Sequence, residues 1–196
     1  MATRSKDDGT ESLEHWFGAF YEATVEGVRD YYRNYSNWAH VHRLTTRRSI
    51  IRDHIVHHLR TALRDEAGAA IINKHGTTLF GLVSKYLMKA HMLTKNMVVA
   101  LNQTQHSIRF NENQSQSDFG DGFEATTLYL GYIPNPSDPF SPSVFLVCPH
   151  GAKPAWFLEL RQADGAQVVG TIDPRGGLDP EDLVKVPEEI EKKKDE

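Results

Sequence analysis

From Leu13 the apolar residues Trp16, Phe17, Phe20, Tyr21, Val25, Val28, Tyr31 and Tyr32 recur at intervals close to three and four, which is the spacing that lines one face of an α-helix. Ser12 precedes this run as an N-cap, and Asn34, Ser36 and Asn37 break it. The pattern predicts an amphipathic helix over about 13–34. A second helix is expected from a cap at Thr45 or Thr46, with Ile51, Ile55, Leu59, Ala62 and Leu63 as its stripe and Gly68 as its stop. The period then changes. AAIINKHGTTLFGLVS holds two β-prone runs around Lys74-His75-Gly76, so it reads as a hairpin in which Gly76 supplies a positive φ.

The following segment, KYLMKAHMLTKNMVVAL, fits a strand and loop or one helix, and propensity favours the helix. A short helix is expected at about 104–110, and NENQSQSDFGDG beyond it reads as a polar loop. Strands are expected at 123–133, 143–147 and 155–161, with a short fourth at 167–172. PNPSDPFSP carries four prolines and separates the first two, whereas Cys148-Pro149-His150-Gly151 turns the chain between the next two. Helices followed by strands without βαβ alternation indicate an α+β fold: two N-terminal helices packed on an antiparallel sheet of about five strands. Residues 1–11 are polar and aperiodic, and 176–196 end in the charge run EEIEKKKDE. Both are expected to be disordered in whole or part around a single domain over 12–175.

At 196 residues, 39% hydrophobic and 24% charged, the chain matches one soluble globular domain. No apolar run is long enough for a bilayer. One cysteine excludes a disulfide framework, and no apolar stretch of a secretory signal follows the first charges. A cytoplasmic protein without membrane contact is expected.

The net charge of −4 conceals segregation. Residues 29–117 carry thirteen Lys and Arg against five Asp and Glu, a net of +8, together with most of the histidines. Residues 118–196 carry seven basic and fifteen acidic residues, a net of −8. Such asymmetry suits a basic surface that meets a polyanion, and equally an acidic part that packs on a basic one.

Reactive side chains crowd the second helix. His54 and His58 lie four apart and so share a face, as two imidazoles on one metal ion must. However, Ile55 stands where the H-E-x-x-H motif needs its glutamate, and histidines beside Ile51 and Leu59 also suit the margin of a core. No metal site is expected. Arg43, Arg47, Arg48 and Arg52 make a basic helix start and face able to grip phosphates, since guanidinium groups donate paired hydrogen bonds. A solvated basic face is the competing reading. Asp53 with His54 or His57 would be the acid–base groups if the protein were an enzyme. Cys148 is a poor nucleophile candidate, because His150 is too close in sequence for the usual pairing with a base. Dinucleotide, Walker, nucleophile-elbow and C-x-x-C motifs are all absent, and no cofactor is indicated.

Taken together and in order, TRRSIIRDHIVHH, the strand hairpin, NQTQHSIRF, LYLGYI and VFLVCPHGAKPAWFLEL resemble a family of uncharacterised bacterial and prophage proteins, over roughly Val41 to Leu160. That family has an R-x-S-I-I-H-D-like helix, a basic strand end, a P-T-Q-Q-like helix start, an L-x-A-G-Y strand and a C-P-x-G hairpin ending in Trp. The matching positions are Arg47, Ser49, Asp53, Thr104, Gln105, Gly131, Tyr132, Cys148, Pro149, Gly151 and Trp156. Arg52 replaces the family histidine, and the family's paired lysines correspond only to Lys89 or His91. Arg for His is harmless in a phosphate site and damaging in a catalytic one. The resemblance implies a setting beside helix-turn-helix regulators joined to ImmA/IrrE-type peptidases, as in toxin–antitoxin modules.

The leading expectation is therefore a component of a bacterial or phage toxin–antitoxin or defence module. It would bind a cognate protein partner, and DNA or RNA through Arg43, Arg47, Arg48, Ser49, Arg52, Lys89, Thr104 and Gln105. A nuclease or nucleotide-modifying toxin that uses Asp53 and its neighbouring histidines is the alternative from another class. A pure interaction module, homo-oligomeric or paired with another chain, is the third.

Overall fold

The protein is described from a computed structural model over residues 3–74, 76–99, 104–113 and 124–162. The strand expected at 167–172, the tail at 176–196 and most of the loop at 111–122 lie outside these residues.

The helical part begins earlier than its apolar pattern suggests. Ser5, whose side chain accepts a hydrogen bond from the Asp8 N–H, caps α1 (Lys6–Leu13). A single 3₁₀ turn (Glu14–Trp16) leads into α2 (Phe17–Tyr35). Ser12 is therefore inside a helix rather than at its cap, and α1 takes in much of the segment that precedes it. Next comes α3 (Leu44–Leu63), whose N-cap is Arg43 with no side-chain cap, so Thr45 and Thr46 fall in its first turn. The two long helices approach closely at Gly27, where a Cβ would lie 2.6 Å from the Ile55 backbone nitrogen. Only a residue without a side chain fits there.

Six strands follow: β1 (Ala69–Lys74), β2 (Thr77–Leu82), β3 (Tyr86–Met92), β4 (Thr126–Ile133), β5 (Ser143–His150) and β6 (Lys153–Leu160). They lie in sequence order, and every neighbouring pair is antiparallel except β3 and β4, which are parallel. The fold is α+β with its long helices N-terminal and a six-stranded, mostly antiparallel sheet. One pair departs from the expected antiparallel sheet. Two parallel strands need a long crossover, and the connection from β3 to β4 carries α4 (Gln105–Asn111). The helix favoured for the segment after Lys85 is corrected too: Tyr86–Met92 is a strand. Burial between layers on both faces makes a strand nearly continuous in apolar residues and hides the period of two.

On one face of the sheet, α2 and α3 close a core that includes Phe20, Tyr31, Ile55, Leu59, Met88, Ala90 and Leu130. On the other, Phe110 of α4 packs with Leu79, Leu87, Tyr129 and Phe145. Strand β4 is buried along seven of its eight residues, as a central strand between two layers must be.

Candidate functional site

Strands β2 and β3 are joined through Val83 and Ser84, both in the left-handed region at φ 45 and 54°. They pair only as Phe80 with Met88, Gly81 with Leu87 and Leu82 with Tyr86. In the same register Thr78 would oppose Ala90 and Thr77 would oppose His91, but those pairs are not formed. The strands separate instead, and the gap opens into a cavity of about 310 Å³. All four residues line it, with Gly76 beside them. Arg52, Asp53 and Val56 of α3 complete it on one side, and Lys89, Thr104 and Ser107 on the other. Segments near 50, 90 and 105 in sequence thus meet in space. A volume of this size sits at the small end of ligand pockets, which run from about 300 to 1,000 Å³, and suits one small-molecule unit.

Lys89 dominates the electrostatics. Strand alternation turns it toward α4, where its Nζ sits 3.8 Å from the centre of the Phe110 ring and 5.1 Å from that of Tyr129, its cross-strand partner. The residue is 8% exposed. Among the described residues no carboxylate lies within ion-pair distance of it. Its charge rests on two aromatic faces, an attraction weaker than an ion pair. Burial, helped by the Arg52 charge, draws the ammonium down to about 8. His91, two residues along and therefore on the same strand face, is drawn to about 4 by burial first and then by the Lys89 charge. It is a neutral imidazole at neutral pH.

The remaining groups are partly committed. Arg52 donates to the Asp53 Oδ1 at 3.1 Å from Nη2 and 3.3 Å from Nε. Thr78 Oγ1 accepts from Arg60 at 2.8 Å and donates to Asn73 at 3.0 Å, which ties α3 to the β1–β2 hairpin. Thr104 and Ser107 form the capping box that starts α4. The position of α4 is set from its far end by Asn113, which takes φ 57°. Asn113 donates to the Pro149 carbonyl at 2.5 Å and accepts the Thr127 N–H at 2.6 Å. Phe110 is thereby held over Lys89.

Of the residues expected to bind phosphate, Arg52, Lys89 and Thr104 line the cavity. Arg43, Ser49 and Gln105 are exposed and do not. Arg47 donates to the Ala39 carbonyl at 2.8 Å, and Arg48 to the Met92 sulfur at 3.3 Å, so both serve local packing. The acid–base set is not assembled. Asp53 lines the cavity, but His57 is exposed and His54 faces α2. His54 and His58 do share a face, and they converge on Asp30, with His58 Nε2 at 2.7 Å and His54 Nδ1 at 3.9 Å from its Oδ2. Among the described residues no cluster of His, Cys, Asp and Glu is suited to a metal ion. Cys148 is fully buried and its thiol is pushed up to about 12 by that burial, which removes it as a nucleophile at neutral pH.

Sequence reasoning missed Thr77, Thr78 and Ser107 and left His91 without a role. The one signal present was the Lys89-x-His91 spacing, which joins two basic groups on a single face once the segment is read as a strand. Among the described residues no helix is long and apolar enough to cross a membrane. No protein-family model, curated protein or solved structure matches the chain.

Proposed function

We propose that the cavity binds a phosphate group of a nucleic acid, with Lys89 and Arg52 as its cations and Thr77 as a neutral donor at its wall. The observation that carries this reading is the Lys89 ammonium, buried in a cavity wall with no carboxylate among the described residues within ion-pair distance of it. Burying a charge without a counter-charge is unfavourable, and an anionic ligand would supply the missing partner. Arg52 widens the field without neutralising it. The basic stretch of sequence thus acts at one lysine and one arginine and not along the whole helix face. In line with the resemblance over Val41 to Leu160, the protein would work in the cytoplasm as the nucleic-acid-binding component of a bacterial or phage toxin–antitoxin or defence module, with a cognate protein partner.

Fluorescence anisotropy with short single-stranded DNA and RNA at low salt tests this. Lys89→Met and Arg52→Met are each expected to weaken binding by about tenfold, the size of one charge-assisted contact. Charge removal at Arg43 should have a smaller effect. Absence of binding at low salt, or binding indifferent to Lys89→Met, would overturn the reading.

A further inference from the structure

We infer that the group seated on Lys89 is a terminal phosphate, from a chain end or a free nucleotide, and not a phosphate bridging two nucleosides. The inference rests on the phosphate reading above and names the kind of phosphate.

Access to the lysine decides the matter. Its ammonium is covered by the Phe110 ring and flanked by Tyr129, with 8% of the residue exposed. A phosphate that receives a hydrogen bond from Nζ must enter the cavity itself. A bridging phosphodiester has a sugar on two of its oxygens, so the chain would have to enter and leave through the same space. A terminal phosphate has one attachment and presents its free oxygens first. The space agrees, because about 310 Å³ holds roughly one small-ligand unit and not a length of chain.

Charge points the same way. Lys89 and Arg52 contribute two cations, and Asp53, whose side chain is 70% exposed, offsets Arg52 from the solvent side. Deep in the cavity the positive charge of Lys89 is unopposed by any described carboxylate, in surroundings of low dielectric where a doubly charged phosphate gains more than a singly charged one. His91, neutral and on the same face, adds no charge of its own, and its ring N–H is spent on the Met92 carbonyl at 3.4 Å from Nδ1.

The experiment compares one single-stranded oligonucleotide carrying a phosphate on its 5′ end, on its 3′ end or on neither, against wild type, Lys89→Met and Arg52→Met. Inorganic phosphate serves as competitor. The expected result is binding at least about tenfold tighter with a phosphorylated end, competition by inorganic phosphate, and loss of that advantage in Lys89→Met. Preference for one end over the other would identify which terminus is seated. Equal binding with and without a terminal phosphate, weakened alike by Lys89→Met, would overturn the inference and leave the phosphate reading standing. If no oligonucleotide binds, or if both variants bind as wild type does, both fall. The Arg52 side chain is 44% exposed, so its variant keeps the test open should Lys89→Met fail to fold.

Discussion

Burial of the Lys89 ammonium weighs against the folded state, and an anionic ligand would offset it, which makes Lys89 a residue whose stability and function should oppose each other. Its folded value of about 8 lies below the ordinary 10.5. Below pH 8 both folded and unfolded chains carry the proton, and the penalty of burying the charge is fully present. Between about 8 and 10.5 the unfolded chain holds a proton that the native chain has released, so stability rises with pH across that window. Lys89→Met keeps the apolar stem and removes the charge. It should stabilise the protein at neutral pH by on the order of 3 kcal/mol, and its stability should lose the alkaline rise. Urea unfolding at neutral pH and near pH 10 measures both, and a variant less stable than wild type at neutral pH would show that the ring contacts outweigh burial of the charge. At this scale the sequence was partly legible. Lys89, Arg52 and Thr104 were identifiable as phosphate-site residues and Asp53 as an acid–base candidate, but His91 was not given a role, because its value depends on burial that no local pattern reveals.

The elements explain why. The pattern of α3 reports only the face that packs on α2 and the sheet, through Ile51, Ile55, Leu59 and Leu63. Its polar positions divide between Asp30, the cavity and solvent, and spacing cannot assign them: His54 and Asp53 are neighbours that point to different partners. Strand β3 was ambiguous because Leu87 is buried on one face and Met88 and Ala90 on the other, which erases the alternation that marks a half-exposed strand. The hairpin at Gly76 and the helix start near Thr104 were legible because each depends on local chemistry, a positive φ of 70° and a hydroxyl acceptor. Least visible was Asn113, in a stretch that reads as loop, although it fastens α4 to β4 and β5. Asn113→Ala leaves the Thr127 N–H and the Pro149 carbonyl buried without that partner, and it should cost about 2–4 kcal/mol while loosening Phe110 over Lys89. Asn113→Gly separates bonding from backbone strain, since glycine accepts φ 57° freely. It should be nearly as destabilised in a denaturant titration; wild-type stability in Asn113→Gly would assign the effect to conformation.

Across the whole molecule the sheet is braced at the opposite end from the cavity by the segment expected to be loose. The Trp156 Nε1 donates to the Arg4 carbonyl at 2.8 Å, the Arg4 N–H donates to Thr126 Oγ1 at 3.3 Å, and the Tyr86 hydroxyl donates to Asp8. One short N-terminal stretch thereby fastens β3, β4 and β6. Its sequence, polar and nearly free of large apolar residues before Leu13, cannot disclose contacts made with residues more than seventy positions away. Strand β3 is thus clamped at Tyr86 and opens into the cavity at Lys89 and His91. The Tyr86 hydrogen bond, with the charges of Lys85 and Arg4, holds the Asp8 carboxyl below its usual 3.8. A lowered carboxylate adds stability above the ordinary value and loses it as pH falls through the folded one. The clamp should therefore hold at neutral pH and fail in acid. Asp8→Asn is expected to lower the melting temperature at neutral pH and to flatten its fall below pH 3.8, because the group that titrates is gone. Tyr86→Phe should remove most of the same contribution, and the double variant should be less destabilised than the sum of the singles by about 1 kcal/mol, as for two partners in direct contact. Oligonucleotide affinity should survive all three variants, because the clamp and the cavity lie toward opposite ends of one strand. Strict additivity would mean that the hydroxyl and the carboxylate act independently. Loss of affinity alongside melting temperature would mean that the gap between β2 and β3 is held open by the clamp rather than by Arg60 and the β1–β2 hairpin.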